Sequence, residues 1–386
     1  MRVLIAFDKF KDSLSAAQAC DVAARSLRGR HRDWTLDLCP LADGGEGFAE
    51  ILTTATGGTL HRLPVQGPRG GLVTAQLGLV PRATIPAAAQ ALLGFDAASA
   101  SGTIAVIEMA QASGLALLPP GLRDPWETTS LGTGQLIRAA AELGATGVVL
   151  GVGGSATNDL GLGALAALGF EFRDDTGNKL RPPLPAQWPR LTRIDGEAFT
   201  ALPPLRIACD VANPLLGPQG CAAIYGPQKG LRAEDRPRLE AESARLADLL
   251  CAHCGQPPAL RDIPGAGAAG GIAFGLMVAA RARLCPGADL VAAWLDLGRR
   301  LDAADLVLTG EGRFDASSLT GKGPGSLATR ALGLGKTVHV FAGAVALDTL
   351  PAGLHTHAIT PADTPLAQAL RDAPALLAGA VQRAFD

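Results

Sequence analysis

The sequence predicts an α/β protein of two domains. One is a flavodoxin-like (Rossmann-like) parallel sheet assembled from both ends of the chain, and the other is a mixed α/β domain inserted into it. Three observations carry this expectation. Short runs rich in Val, Ile and Leu alternate with longer Ala/Leu runs of helical spacing, the pattern of strands joined by crossover helices. That rhythm appears at both ends of the chain and breaks down in the middle. At 386 residues the chain is also longer than a single core usually serves. Residues 1–62 and 295–386 are therefore assigned to the flavodoxin-like domain and residues 63–294 to the inserted one.

The elements follow in order. Residues 3–7 form an uninterrupted apolar run suited to a central strand, and residues 15–27 repeat apolar positions at helical spacing. Residues 35–39 predict a second strand and residues 44–54 a second helix. In the middle region, residues 60–66 and 72–80 alternate as strands of a mixed sheet do. Residues 104–109, 148–150 and 206–209 are short buried strands, interrupted by a proline-rich loop at 180–189. The first rhythm then returns, with strands at 306–309, 338–341 and 357–360 and helices at 325–332 and 366–385. The Ala-rich stretch 81–102 reads as a surface elaboration.

Composition narrows the function. Hydrophobic residues make up 48% of the chain, enough for a proper core, and the net charge is −2 with no long Lys/Arg run. Neither nucleic acid nor an anionic membrane surface is indicated as partner. The seven cysteines are odd in number and scattered, which argues against a disulfide scaffold. The N-terminal stretch MRVLIAFDKFKD turns charged after five apolar residues, too early for a secretory signal. No apolar run approaches a membrane span. A cytoplasmic enzyme, monomeric or homodimeric, is expected.

Glycine-rich loops supply the first functional candidates. At LGVGGSATNDLG (150–161) an apolar run leads into glycines and then into a helical pattern, the order of a phosphate cradle. Gly151, Gly153 and Ala156 also fit the dinucleotide fingerprint. An NAD(P)-dependent oxidoreductase on a small hydroxy acid is thus a competing reading. Ser155, Thr157, Asn158 and Asp159 exceed what one helix cap needs, so an anion site is expected there. GAGAAG at 265–270 is a literal G-x-G-x-x-G without a preceding strand, and helix-entry packing explains it better. GLGKT at 333–337 fails as a P-loop, because Arg330 stands where its first glycine belongs and a strand follows it.

Carboxylates held among glycines are the second signature. Asp43 and Glu46 lie in ADGGEG, Glu311 in TGEGR, and Asp210 in ACDVANP. Asp43, Glu311 and Asp210 each closely follow an apolar run, and the carboxyl ends of strands line the ligand crevice of an open α/β sheet. Phosphoryl transfer gives such acids a purpose, as metal-linked groups or as acceptors of a hydroxyl proton. Lys9, Lys11, Lys229 and Lys322 sit where they could meet phosphates. A zinc site is not supported, since Cys251 and Cys254 form a single C-x-x-C among dispersed histidines.

In order along the chain, DKFKDSLS (8–15), LADGGEG (41–47), EMAQASGL (108–115), TTSLGTG (128–134), GVGGSATND, CDVANPLLGPQG, YGPQKG, GAGAAGG and TGEGRFD…TGK resemble the bacterial glycerate kinase family. These are the two-domain enzymes that include the glyoxylate- and glucarate-pathway kinases. The resemblance implies two α/β domains with the active site in the cleft between them. It implies ATP- and Mg²⁺-dependent phosphorylation of D-glycerate, 2-phosphoglycerate more than 3-phosphoglycerate being the product. Lys9, Asp12 and Ser317 depart from the family's usual residues.

On that basis Gly153, Gly154, Ser155, Thr157 and Asn158 would line an anion site for nucleotide phosphate or substrate carboxylate. Lys11, Ser13, Arg313 and Asn213 would contact the substrate, Arg313 because its fork suits a carboxylate. Asp210 would serve as general base or metal-linked acid, with Asp43, Glu311 and Asp315 as alternates. Lys229 or Lys322 would neutralise the transferred group. Asp43, Glu46 and Asp210 are the expected metal ligands.

Overall fold

The computed structural model describes residues 1–96, 101–320, 323–347 and 349–386. In chain order its strands are β1 (Arg2–Phe7), β2 (Thr35–Leu38), β3 (Thr59–Gln66), β4 (Leu72–Pro81), β5 (Thr103–Glu108), β6 (Gly147–Gly151), β7 (Glu171–Asp174), β8 (Lys179–Leu180), β9 (Leu191–Asp195), β10 (Leu205–Ala208), β11 (Arg283–Cys285), β12 (Leu306–Asp315), β13 (Thr337–Ala346) and β14 (Leu354–Ala358). The chain divides into two compact units, Met1–Asp43 with Val291–Asp386, and Gly44–Leu290.

The first unit is a wholly parallel sheet in the order β14-β13-β12-β1-β2. Counted within the unit this is 5-4-3-1-2, the flavodoxin-like order, with its switch point between β1 and β12. Val3, Leu4, Ile5, Ala6 and Phe7 are all fully buried, as a central strand covered on both faces requires. Helix Ala16–Arg28 starts at a capping box in which Ser15 Oγ accepts from the Gln18 amide and Gln18 Oε1 accepts from the Ser15 amide. It packs beside helix Leu366–Ala384. Two strands run differently from the expectation. β12 continues through TGEGRFD to Asp315, because Glu311 and Arg313 stay in register with Ala342 and Ala344 of β13. β14 starts three residues earlier than expected, since the register with β13 places Leu354 opposite Val338.

The second unit is a mixed sheet in the order β11-β10-β6-β5-β4-β3, with β4 antiparallel to both neighbours and the other pairs parallel. A small antiparallel sheet, β8-β7-β9, lies within the same unit. The seam falls earlier in the chain than the sequence rhythm placed it. Helix Phe48–Ala55 packs on β4 and β5 and buries Phe48, Ala49, Ile51 and Leu52 there, and β3 pairs with β4. Residues 44–62 therefore belong with the second unit. The Ala-rich stretch is also better packed than a surface elaboration, with Ile85, Ala89, Leu93 and Phe95 buried. Among the described residues no helix is long and apolar enough to cross a membrane.

Close helix contact in this unit relies on small residues. A Cβ on Gly134, in helix Leu131–Glu142, would lie 2.6 Å from Ala164 Cα in helix Leu162–Leu168. The obstacle is backbone, which cannot turn aside. On an exposed helix, Gly→Ala stabilises by about 0.5–1 kcal/mol. Here Gly134→Ala is expected to destabilise by about 1–3 kcal/mol instead, and a urea midpoint at or above wild type would refute the close-contact account.

Candidate active site

The second unit concentrates its unusual residues at the carboxyl ends of β5, β6, β10 and β11. β6 ends at Gly151, and the chain then runs through a ten-residue loop before helix Leu162–Leu168. This length overturns the dinucleotide reading, which needs a helix opening at the glycines. It also relocates the polar cluster, which does not cap a helix start as the pattern predicted. Only Asp159 does so, accepting from the Gly161 and Gly163 amides at 3.1 and 3.3 Å. The same carboxylate accepts from the Ser130 amide and hydroxyl at 2.7 and 2.8 Å.

Lys229 enters this loop from the opposite polarity. It sits in the turn Pro227–Lys229 and is 1% exposed. Its ammonium donates to Ser155 Oγ (2.9 Å), the Thr157 carbonyl (2.7 Å) and Asn158 Oδ1 (3.4 Å). Burial brings its pKa down to about 8, with Cys221 and Asp159 acting the other way. The expected partners Ser155, Thr157, Asn158 and Lys229 are thus brought together, but Lys229 is enclosed. It braces the loop and presents no open face to a phosphate. Thr157 Oγ1 is buried with no hydrogen-bond partner.

Glycines bring a second loop against this one. Gly44 O accepts from the Gly153 amide at 3.0 Å, and a Cβ on Gly153 would lie 2.6 Å from Gly45 Cα. ADGGEG is therefore held across the end of β6. Its other anchor is Glu108, at the end of β5, which accepts from the amides of Gly47 (3.0 Å) and Ala49 (3.5 Å) and from Gln111 Nε2 (3.3 Å). Glu46 lies close enough to help raise the Glu108 pKa, which burial pushes up to about 7. Glu108 escaped the list of candidates, although it obeys the rule that selected the others: an acid ending a buried strand. GAGAAGG performs the packing role expected of it, since Gly270 adopts φ +73° against the Thr157–Asn158 backbone.

Asp210 follows β10, and its Oδ2 accepts from the Ala288 amide (2.9 Å) at the start of helix Gly287–Trp294. Asn213 is less available than expected. Its Nδ2 donates to the Gln219 carbonyl and its Oδ1 accepts from Tyr225 Oη, both at 2.7 Å.

The first unit gathers the remaining candidates at its switch point, past the end of β1 and on the last five residues of β12, which run on beyond β1. Lys9 pairs with Asp43 at 3.4 Å, and its amide donates to Asp8 Oδ1 at 2.7 Å. Glu311 Oε1 is buried without a hydrogen-bond partner. Burial raises the Glu311 pKa, and Asp8, Asp315 and Asp43 push it the same way. Arg313 donates to Asp315 at 3.2 Å and is exposed. Ser13 spends its hydroxyl on the Phe10 carbonyl at 3.0 Å. Lys11 is exposed, its amide nitrogen 3.7 Å from where a Cβ on Gly312 would stand. Lys322 lies outside the described residues. Among the described residues, no group of three His, Cys, Asp or Glu is placed to hold a metal ion.

The glycerate kinase family model matches residues 3–386. The chain belongs to the glycerate kinase family. It is 37% identical to a glycerate kinase of Bacillus subtilis over 97% of this chain and 94% of the relative. It is 37% identical to the glycerate 2-kinase of Escherichia coli, over 93% of this chain and 89% of the relative. A crystal structure of a protein assigned as glycerate kinase 2 from Salmonella typhimurium LT2 superposes with a TM-score of 0.76 at 35% identity, covering 100% of this chain and 97% of that one. Membership makes this glycerate kinase homologue a phosphotransferase.

Glu108 offers a test of the loop's support. Its folded pKa lies above the ordinary value of 4.5. The group therefore favours the folded state fully below about pH 4.5, and that contribution is lost as pH rises through about 7. Glu108→Gln keeps an acceptor but cannot ionise. Relative to the variant, wild type should lose stability between about pH 4.5 and about pH 8, by on the order of 3 kcal/mol. Chemical denaturation at the two pH values measures this, and a flat difference removes the burial argument.

Proposed function

We propose that this chain transfers the terminal phosphoryl group of ATP to the 2-hydroxyl of D-glycerate, releasing 2-phosphoglycerate and ADP. The family match along the whole chain carries the reading, and a relative named glycerate 2-kinase supports the position of transfer. In the second unit, the amide of Gly154 and the hydroxyl of Ser155, which accepts from Lys229 and keeps its own O–H to donate, suit phosphate oxygens. They are fixed before any ligand arrives, because Lys229 and Asp159 hold the loop from both sides.

The carboxylates of the first unit fit a divalent cation. Glu311 carries an orphaned buried oxygen, and its pKa is raised first by burial and then by Asp8, Asp315 and Asp43, a state that a cation relieves. Mg²⁺ is commonly bound by one or two carboxylates plus phosphate and water, so a three-acid cage is not needed. Glu311, with Asp8 or Asp43, would hold it; when bound, it neutralises charge on the phosphates.

Asp210 would accept the proton of the attacking hydroxyl, and Arg313 and Lys11 would hold the glycerate carboxylate. The remaining work is in-line positioning. Phosphorus and proton NMR of the product formed from D-glycerate and MgATP tests the reading. Coupling of phosphorus to the single C2 proton is expected, and coupling to the C3 pair or absence of ADP would contradict it. Asp210→Asn retains an acceptor for Ala288, so its effect reports chemistry. kcat at saturating substrates should fall more than about tenfold, on the order of 1.4 kcal/mol, and a smaller loss removes Asp210 from the role.

A further inference from the structure

The second unit also contains a cavity of about 530 Å³ lined by Gln66, Leu131, Gln135, Arg138, Ala167 and Arg181. The lining comes from the end of β3, from helices Leu131–Glu142 and Leu162–Leu168, and from the residue after β8. None of the six belongs to the loops described above, and the proposed phosphoryl transfer uses none of them.

The cavity's polar groups make complementary demands. Arg138 is already oriented: its Nη1 donates to the Ala167 carbonyl at 2.8 Å, its Nε to Glu142 at 3.3 Å, and its guanidinium lies over the Phe199 ring. Those bonds occupy two of its five donors. Arg181 is exposed, and among the described residues its guanidinium makes no ion pair or hydrogen bond. Gln66 presents the opposite need. Its backbone N–H donates to Gln135 Oε1 at 2.8 Å, while its own side-chain Oε1 is buried with no hydrogen-bond partner. A buried acceptor left in that state calls for a donor. Two guanidiniums call for an anion, which their planar forks bind with two parallel bonds.

We propose that this cavity is a second ligand site, for a small phosphorylated or carboxylated compound that also carries a hydroxyl. The anionic group lies on Arg138 and Arg181, and the hydroxyl donates to Gln66 Oε1. Leu131 and Ala167 supply the apolar wall that fits a short carbon chain.

Calorimetric titration of the full chain with 3-phosphoglycerate, which has all three groups, tests this against inorganic phosphate, which has the anion alone. Wild type should bind 3-phosphoglycerate at least tenfold more tightly than phosphate. Arg181→Ala and Gln66→Leu should each weaken 3-phosphoglycerate binding at least tenfold, whereas Lys11→Ala should leave this binding event unchanged. Arg181 is exposed, so its variant should keep the wild-type unfolding temperature and carries the test if Gln66→Leu folds poorly. No binding by wild type, binding unaltered by Arg181→Ala, or phosphate binding as tight as 3-phosphoglycerate would each overturn the proposal.

Discussion

The loop after β6 rests on a division of labour between two buried charges. Lys229 satisfies acceptors of residues 155–158, and Asp159 draws in the donors of Ser130, Gly161 and Gly163. A loop buried without such partners would leave backbone and hydroxyl groups unpaired, at about 1–3 kcal/mol each. An isolated buried charge would cost far more. Each ion here is surrounded by hydrogen bonds, and Asp159 itself counteracts the lowering of the Lys229 pKa. The loop therefore has one well-determined shape before any ligand binds, which is what electrostatic catalysis requires of it.

That arrangement depends on glycine at a few points of contact. Gly153 lies on Gly45, Gly134 on Ala164, and Gly270 on the Thr157–Asn158 backbone. At each point a methyl group would meet main chain, not a flexible side chain. The high glycine content of the sequence acquires a specific meaning in these places. It lets the ends of neighbouring strands come within backbone contact distance, so that ADGGEG, the β6 loop and GAGAAGG form one layered surface.

The first unit reaches a comparable result through its topology. Reversal of strand order between β1 and β12 opens a crevice at the carboxyl edge of the sheet. Asp8 follows β1 there, and Glu311, Arg313 and Asp315 lie on the part of β12 that runs on beyond β1. Burial, and after it repulsion from Asp8, Asp315 and Asp43, raises the Glu311 pKa, a cost that a folded protein tolerates where a cation or ligand cancels it.

The sequence by itself determined the fold class, the strand rhythm and the family. Apolar periodicity and the order of nine motifs are local properties that survive without coordinates. It also placed most chemically active residues at strand ends, because an acid or glycine after an apolar run is visible in one dimension. It could not show that Lys229 is enclosed, that Asn213 is engaged by Gln219 and Tyr225, or that TGEGRFD continues β12. Nor could it separate residues 44–62 from the first unit. Those facts depend on which distant segments share a surface: Lys229 lies more than seventy residues from Ser155, and Glu108 about sixty from Gly47. Burial and hydrogen-bond partners arise only when such segments meet, so tertiary structure alone decided them.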